Sequence, residues 1–158
     1  MKQKKIKIKS NSEEETICFG KEFAKVLAEK DLVVLEGALG GGKTTFIKGI
    51  LCGLGYKKKV LSPSFTLVRQ YKTKKFLVHH MDLYRLVPED VFGLGSQDMF
   101  YALSSITLIE WGAKIEPDLD KYIKIEFLFK GLNKRELKFS AKGYNFDKLK
   151  GLKEEMKK

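Results

Sequence analysis

The chain has 158 residues, 43% of them hydrophobic and 32% charged, which suits one domain with a sizeable core and excludes collagen-like and disordered classes. Lys and Arg total 31 against 20 Asp and Glu, a formal net charge of +11, and a basic surface of this kind attracts phosphate, nucleic acid or an acidic partner. The excess is lysine, with arginine only at 69, 85 and 135, so the lysine-rich end at 148–158 reads as a solvated face.

The first nine residues, Met1 to Lys9, lack the apolar core of a signal peptide. No apolar run approaches the roughly 18 residues of a membrane helix. Cys18 and Cys52 form no C-x-x-C and are too few for a disulfide framework. A cytoplasmic protein with reduced thiols and no membrane contact is expected. Residues 4–9 alternate Lys and Ile, which predicts a lysine-guarded edge strand. Ser12 and Glu15 form a capping box, and Phe19, Phe23, Val26 and Leu27 share one face of the helix behind it. Leu32 to Leu35 is a wholly apolar run, as a strand buried on both faces requires. A glycine-rich turn follows, then a helix over Thr44–Leu54 ended by Gly55.

Phe65–Tyr71 and Phe76–Met81 predict two strands joined at 72–75. Pro88–Tyr101 predicts short helical turns broken by Gly93 and Gly95, and Ile106–Ile109 another buried strand. Tyr122–Phe129 and Glu136–Phe139 predict a hairpin turning at 131–134. A C-terminal helix over about 143–157 carries Phe146, Leu149, Leu152 and Met156 on one side and is expected at the periphery. Buried strands alternating with helices imply an α/β sandwich, its mixed sheet parallel at the centre with antiparallel additions. The whole chain, 1–158, is expected to form one domain.

Gly37-Ala-Leu-Gly-Gly-Gly42-Lys43-Thr44 fits the phosphate-binding pattern G-x-x-x-x-G-K-[ST], with a strand before it and a helix after it. Glycines let backbone N–H groups converge on an anion, and the following helix adds its positive end. Lys43 would reach the β- and γ-phosphates, and the Thr44 hydroxyl would ligate Mg²⁺. Hydrolysis also needs a carboxylate at the tip of a neighbouring buried strand. Asp82, after Leu77–Met81, and Glu110, after Ile106–Ile109, both qualify, and either could face the phosphates.

Four segments now occur in order: the loop through Thr45 and Phe46, Ser62-Pro-Ser-Phe-Thr-Leu67, His80-Met-Asp82-Leu-Tyr-Arg85-Leu86 and Ile109-Glu-Trp-Gly112. Together they closely resemble the bacterial TsaE family (also called YjeE), the small ATPase of tRNA threonylcarbamoyladenosine synthesis. The resemblance covers about residues 12–140. It implies a three-layer, P-loop NTPase-like α/β domain that binds ATP and Mg²⁺. It also implies partnership with TsaB and TsaD, which modify adenosine 37 of tRNA, so that tRNA is met only through the complex. Carried onto this chain, it makes Gly37, Leu39, Gly40, Gly41, Gly42, Lys43, Thr44 and Thr45 nucleotide-binding. Thr44 and Glu110 correspond to the Mg²⁺ ligands, and Asp82 with Lys43 to the catalytic groups. Ser62 to Thr66 corresponds to a switch-like loop, with Ser62 and Thr66 contacting nucleotide, and Trp111 to a residue near the nucleotide. Where the family usually has Asp after the first glycine, this chain has Ala38.

His79 and His80 point to opposite faces of a strand and cannot easily ligate one ion. A backbone hydrogen bond is expected for His80. A GTPase would need an Asp where Glu136 follows Asn133-Lys134. A nucleotide-dependent binding module with negligible turnover shares every motif and is the main alternative to an ATPase; a small P-loop kinase is the other, though three arginines in total leave little for a closing lid.

Overall fold

The computed structural model describes residues 4–38, 40–61, 63, 68–93, 96–144 and 147–156. In chain order these form β1 (Ile6–Ser10), α1 (Glu13–Ala24), β2 (Leu32–Gly37), α2 (Lys43–Gly53), β3 (Val68–Lys72) and β4 (Leu77–Asp82). Then come α3 (Pro88–Gly93), α4 (Ser96–Phe100), β5 (Ser105–Glu110), a 3-10 helix (Gly112–Asp118), β6 (Tyr122–Phe129), β7 (Arg135–Lys142) and α5 (Asp147–Met156). The seven strands lie in one sheet in the order β1-β7-β6-β2-β5-β4-β3.

The centre is parallel: β6, β2, β5 and β4 run side by side in one direction. β7, β1 and β3 are added antiparallel. β1 is an edge strand, its lysines exposed and its isoleucines buried, as alternation dictates. Leu32, Val33, Val34 and Leu35 are at most 1% exposed, because both faces of β2 are covered. Val33 and Leu35 look into a core shared with α1, α2 and α5. Leu32 and Val34 look into a second core closed by α3, α4 and the 3-10 helix. Strand parity therefore yields helix–sheet–helix layers.

Ser12 caps α1, its hydroxyl accepting the Glu15 N–H at 3.1 Å. The return bond of the capping box shifts by one residue: Glu15 Oε2 accepts from the Asn11 N–H at 2.8 Å. The α1 helix stops at Ala24, short of Val26 and Leu27. The chain there tightens to i→i−3 bonds, which still turn Leu27 into the core. Beyond α2, Gly55 takes φ +89°, with the Gly55 N–H on the Cys52 carbonyl and the Tyr56 N–H on the Leu51 carbonyl. That double bond pattern is the Schellman stop the glycine predicted.

α1 and α2 meet backbone to backbone. A Cβ at Gly49 would lie 2.2 Å from the Ile17 carbonyl oxygen, and one at Gly20 would lie 2.3 Å from that of Phe46. Glycine costs helix stability, and here that cost permits an approach no larger residue allows. Phe23, Phe46, Phe127 and Phe139 fill the space beneath with centroids 5.6 to 6.1 Å apart. At the other end, Leu149 and Leu152 of α5 are buried in the same core, and Tyr144 and Lys148 bind buried Asp31 at 2.6 and 2.5 Å.

The second half departs from expectation in its bounds. Among the described residues β3 spans Val68–Lys72, and its expected start at Phe65 lies outside them. β7 runs on to Lys142 because β6 pairs with it to the end, Tyr122 opposite Lys142. The helical turn after Trp111 carries no periodicity long enough to be seen in sequence. Among the described residues no helix is long and apolar enough to cross a membrane.

Candidate functional site

Between β2 and α2 the chain must reverse within a few residues, and glycine makes the reversal possible. Gly37 takes φ +151°, and a Cβ there would sit 2.6 Å from the Phe127 carbonyl oxygen. Gly42 takes φ +103° as the residue before α2 and offers no side-chain cap, so the first amides of the helix stay available to an anion. Phe127, at the tip of neighbouring β6, floors the bend.

Lys43 is the first residue of α2 and is only 5% exposed. Its ammonium donates to the carbonyls of Gly37 at 2.5 Å and Ala38 at 3.2 Å, and it lies 4.0 Å above the Trp111 ring. Burial lowers its pKa, while the carboxylates of Glu110, Glu36 and Asp82 pull back toward the charged form. The cation is thus held at the mouth of the bend with acids close behind it.

Those acids arrive on adjacent parallel strands. Asp82 ends β4 and Glu110 ends β5, and the two are paired in register. Glu110 is 4% exposed and uses both oxygens. Oε1 accepts from the Thr44 hydroxyl at 3.0 Å, and Oε2 lies 2.6 Å from His80 Nε2. The expected backbone bond of His80 is therefore replaced by a bond to this carboxylate. Parallel pairing puts His80 on β4 beside β5, and its fully buried ring finds the acid rather than a main-chain group. His79 turns the other way, toward Gln70 at 3.3 Å, so the two histidines do not converge. Asp82 is half-buried, and its Oδ1 accepts the Tyr84 N–H at 2.9 Å. Trp111 stands in the left-handed region at φ 59°, its N–H on the Leu35 carbonyl, with the Tyr84 ring 4.9 Å away.

The fold therefore brings Gly37, Gly40, Gly41, Gly42, Lys43, Thr44, Asp82, Glu110 and Trp111 to one end of the sheet. Thr45 lines a cleft of about 210 Å³ together with Gly40 and Gly42 of the bend, Ser12, Thr16 and Arg135. Leu39, Ser62 and Thr66 lie outside the described residues. Reasoning on the sequence missed three participants. His80 orients Glu110. Glu36 Oε2 accepts the Ala113 N–H at 3.0 Å, tying β2 to the turn after Trp111. Arg135 of β7 donates from Nε to the Gly41 carbonyl and from Nη2 to the Gly40 carbonyl, both at 3.2 Å. Its one signal was being one of three arginines in a chain whose other basic residues are lysine.

Oxygen donors dominate this set. A hydroxyl, two carboxylates, an ammonium and a helix start together can receive a polyphosphate and a hard divalent cation. The model of the family "Threonylcarbamoyl adenosine biosynthesis protein TsaE" matches residues 10–137. The chain belongs to the TsaE family. Its relatives include the tRNA threonylcarbamoyladenosine biosynthesis protein TsaE of Bacillus subtilis, 35% identical over 147 residues, 92% of each chain. TsaE of Treponema pallidum is 40% identical over 114 residues, 72% of this chain and 83% of that one. The crystal structure of Bacillus subtilis YdiB superposes with a TM-score of 0.78 at 32% identity, covering 99% of this chain and 97% of that one. The TsaE likeness thus extends over sheet and helices alike, and the architecture is that of a P-loop NTPase.

Proposed function

We propose that this chain binds ATP with Mg²⁺ and hydrolyses its β–γ bond in support of N6-threonylcarbamoyladenosine formation at position 37 of tRNA, acting with TsaB and TsaD. The observation that carries the reading is the 3.0 Å contact between Thr44 Oγ1 and Glu110 Oε1. It joins the start of the phosphate-binding helix to a strand-tip acid 66 positions later, with Asp82 in register beside it. Magnesium takes one or two protein oxygens and completes its shell with phosphate and water. Thr44 and Glu110 supply hard donors of that kind, and the ion would neutralise charge on the β- and γ-phosphates.

The amides of the bend and of the first turn of α2 bind the phosphates. Lys43 exchanges the Gly37 and Ala38 carbonyls for β- and γ-oxygens, and so a desolvated cation gains the anion it lacks. Asp82 holds the attacking water or a water of the metal shell, and Trp111 walls the site. Water adds to the γ-phosphorus, the bond to the β–γ bridging oxygen breaks, and ADP and phosphate leave. Catalysis is positioning and electrostatics, with no covalent chemistry for the protein.

ATP turnover of the full chain, alone and with TsaB and TsaD, tests the reading. Stimulation by the pair is expected. The Asp82→Ala variant should keep nucleotide affinity within a few-fold yet lose about a hundredfold or more in turnover. Hydrolysis unaffected by that substitution removes Asp82 from the mechanism. Binding without turnover under every condition leaves a nucleotide-dependent switch instead of an ATPase.

A further inference from the structure

The phosphate-binding bend contains three successive glycines, 40–42, the segment of the chain with the greatest backbone freedom to lose. Something outside the bend must fix its peptide planes, because the amides bind an anion only if they point inward. Arg135 touches those planes. It sits at the start of β7, half-buried, and its guanidinium bridges two consecutive carbonyls, Gly40 and Gly41, at 3.2 Å each. The rest of the side chain is itself tethered: the guanidinium lies 4.3 Å above the Phe129 ring, and Nη1 donates to the Lys134 carbonyl at 3.2 Å.

In a trans peptide the C=O of one residue and the N–H of the next point in opposite directions. A carbonyl drawn toward Arg135 therefore drives the following N–H to the other side. The Gly40–Gly41 unit shows this, since the Gly41 N–H donates across the bend to the Ala38 carbonyl at 3.0 Å. The same constraint on the Gly41–Gly42 unit turns the Gly42 N–H away from Arg135, one residue before Lys43.

We propose that Arg135 is a positioning residue that presets the peptide planes of the phosphate-binding bend from across the sheet, through its two-pronged grip on the Gly40 and Gly41 carbonyls. This rests on the bend being the nucleotide site. A planar guanidinium presents its donors at a fixed spacing and so fixes the two peptide planes relative to each other, whereas an ammonium is a point charge on a flexible stem and fixes them less tightly. The grip acts before ligand arrives, and it places the affinity of the site partly in the β6–β7 hairpin.

Binding of ADP to the full chain by calorimetry, with the melting temperature and the ¹⁵N–¹H spectrum of the free protein, tests the grip. Arg135→Lys and Arg135→Ala should each weaken ADP binding by about tenfold, with no rescue by the charge-retaining lysine. The Gly41 and Gly42 amide signals of both variants should shift or broaden without ligand, while the melting temperature of Arg135→Lys stays near that of the parent. Wild-type affinity in Arg135→Lys overturns the proposal and reduces Arg135 to a source of positive charge. Unchanged glycine amides in the free variants also overturn it. A parent protein that binds no ADP while its glycine amides still respond to Arg135→Lys sinks the nucleotide reading and leaves the grip standing.

Discussion

Lys43 has two environments in one place, a desolvated pocket and three acids, and the pocket prevails: its pKa falls below the ordinary lysine value. Carbonyls satisfy its protons but supply no full negative charge, which suits the phosphate contact proposed for it. Lys43→Ala should lower affinity for ATP by about a hundredfold or more, because a charge-assisted contact to two phosphates is lost in a water-poor site. Equilibrium titration of the variant measures this, and affinity within threefold of the parent would contradict it. Glu110 is the second residue on which the site turns. It spans Thr44 and His80, so a residue that sequence placed at a strand tip also ties β5 to α2 and β4.

At the scale of elements, the decisive contact is α1 against α2. α2 carries Lys43 and Thr44, and its position relative to the sheet depends on how closely α1 lies on it. Gly49→Ala places a methyl group 2.2 Å from the Ile17 carbonyl oxygen and 2.9 Å from the Gly20 Cα, both backbone atoms that cannot swing aside. Helix propensity favours the alanine by roughly 1 kcal/mol. Forced separation of two helices costs about 1 to 3 kcal/mol or more, so the steric term wins. Urea unfolding should show a net destabilisation, and a stabilised variant would mean that the helices part without strain. The same separation would displace Thr44 from Glu110, and a loss of nucleotide affinity should accompany the loss of stability.

For the whole molecule, pH reaches the fold through a buried base. His79 is 4% exposed, and burial lowers its pKa below 6.5. Below pH 6.5 the unfolded chain takes up a proton that the native state refuses, so the stability present above that pH is lost as pH falls toward the lowered folded value. Urea midpoints between about pH 5 and pH 7.5 should drop on the acid side, and His79→Gln should flatten that limb relative to the parent. Parallel limbs in the two proteins would show that His79 contributes nothing to the slope. The formal net charge of +11 at pH 7 adds self-repulsion that salt screens.

Local rules along the chain were enough for most of the frame. Period-two lysines made β1 an edge, a four-residue apolar run made β2 a doubly covered strand, and Gly55 stopped α2 because only glycine closes a Schellman turn cheaply. The glycine-rich bend and the acids at 82 and 110 were legible for the same reason: each needs a particular residue type at a particular place. Tertiary structure alone assigned partners. Whether Glu110 or Asp82 meets Thr44, that His80 bonds a carboxylate, that Arg135 holds the bend from across the sheet, and that Gly20 and Gly49 let two helices touch all depend on which strands and helices lie side by side. Strand order comes from long-range packing between residues dozens of positions apart, and no local periodicity encodes such distances. A motif therefore names the chemistry, while the sheet decides which groups are close enough to carry it out.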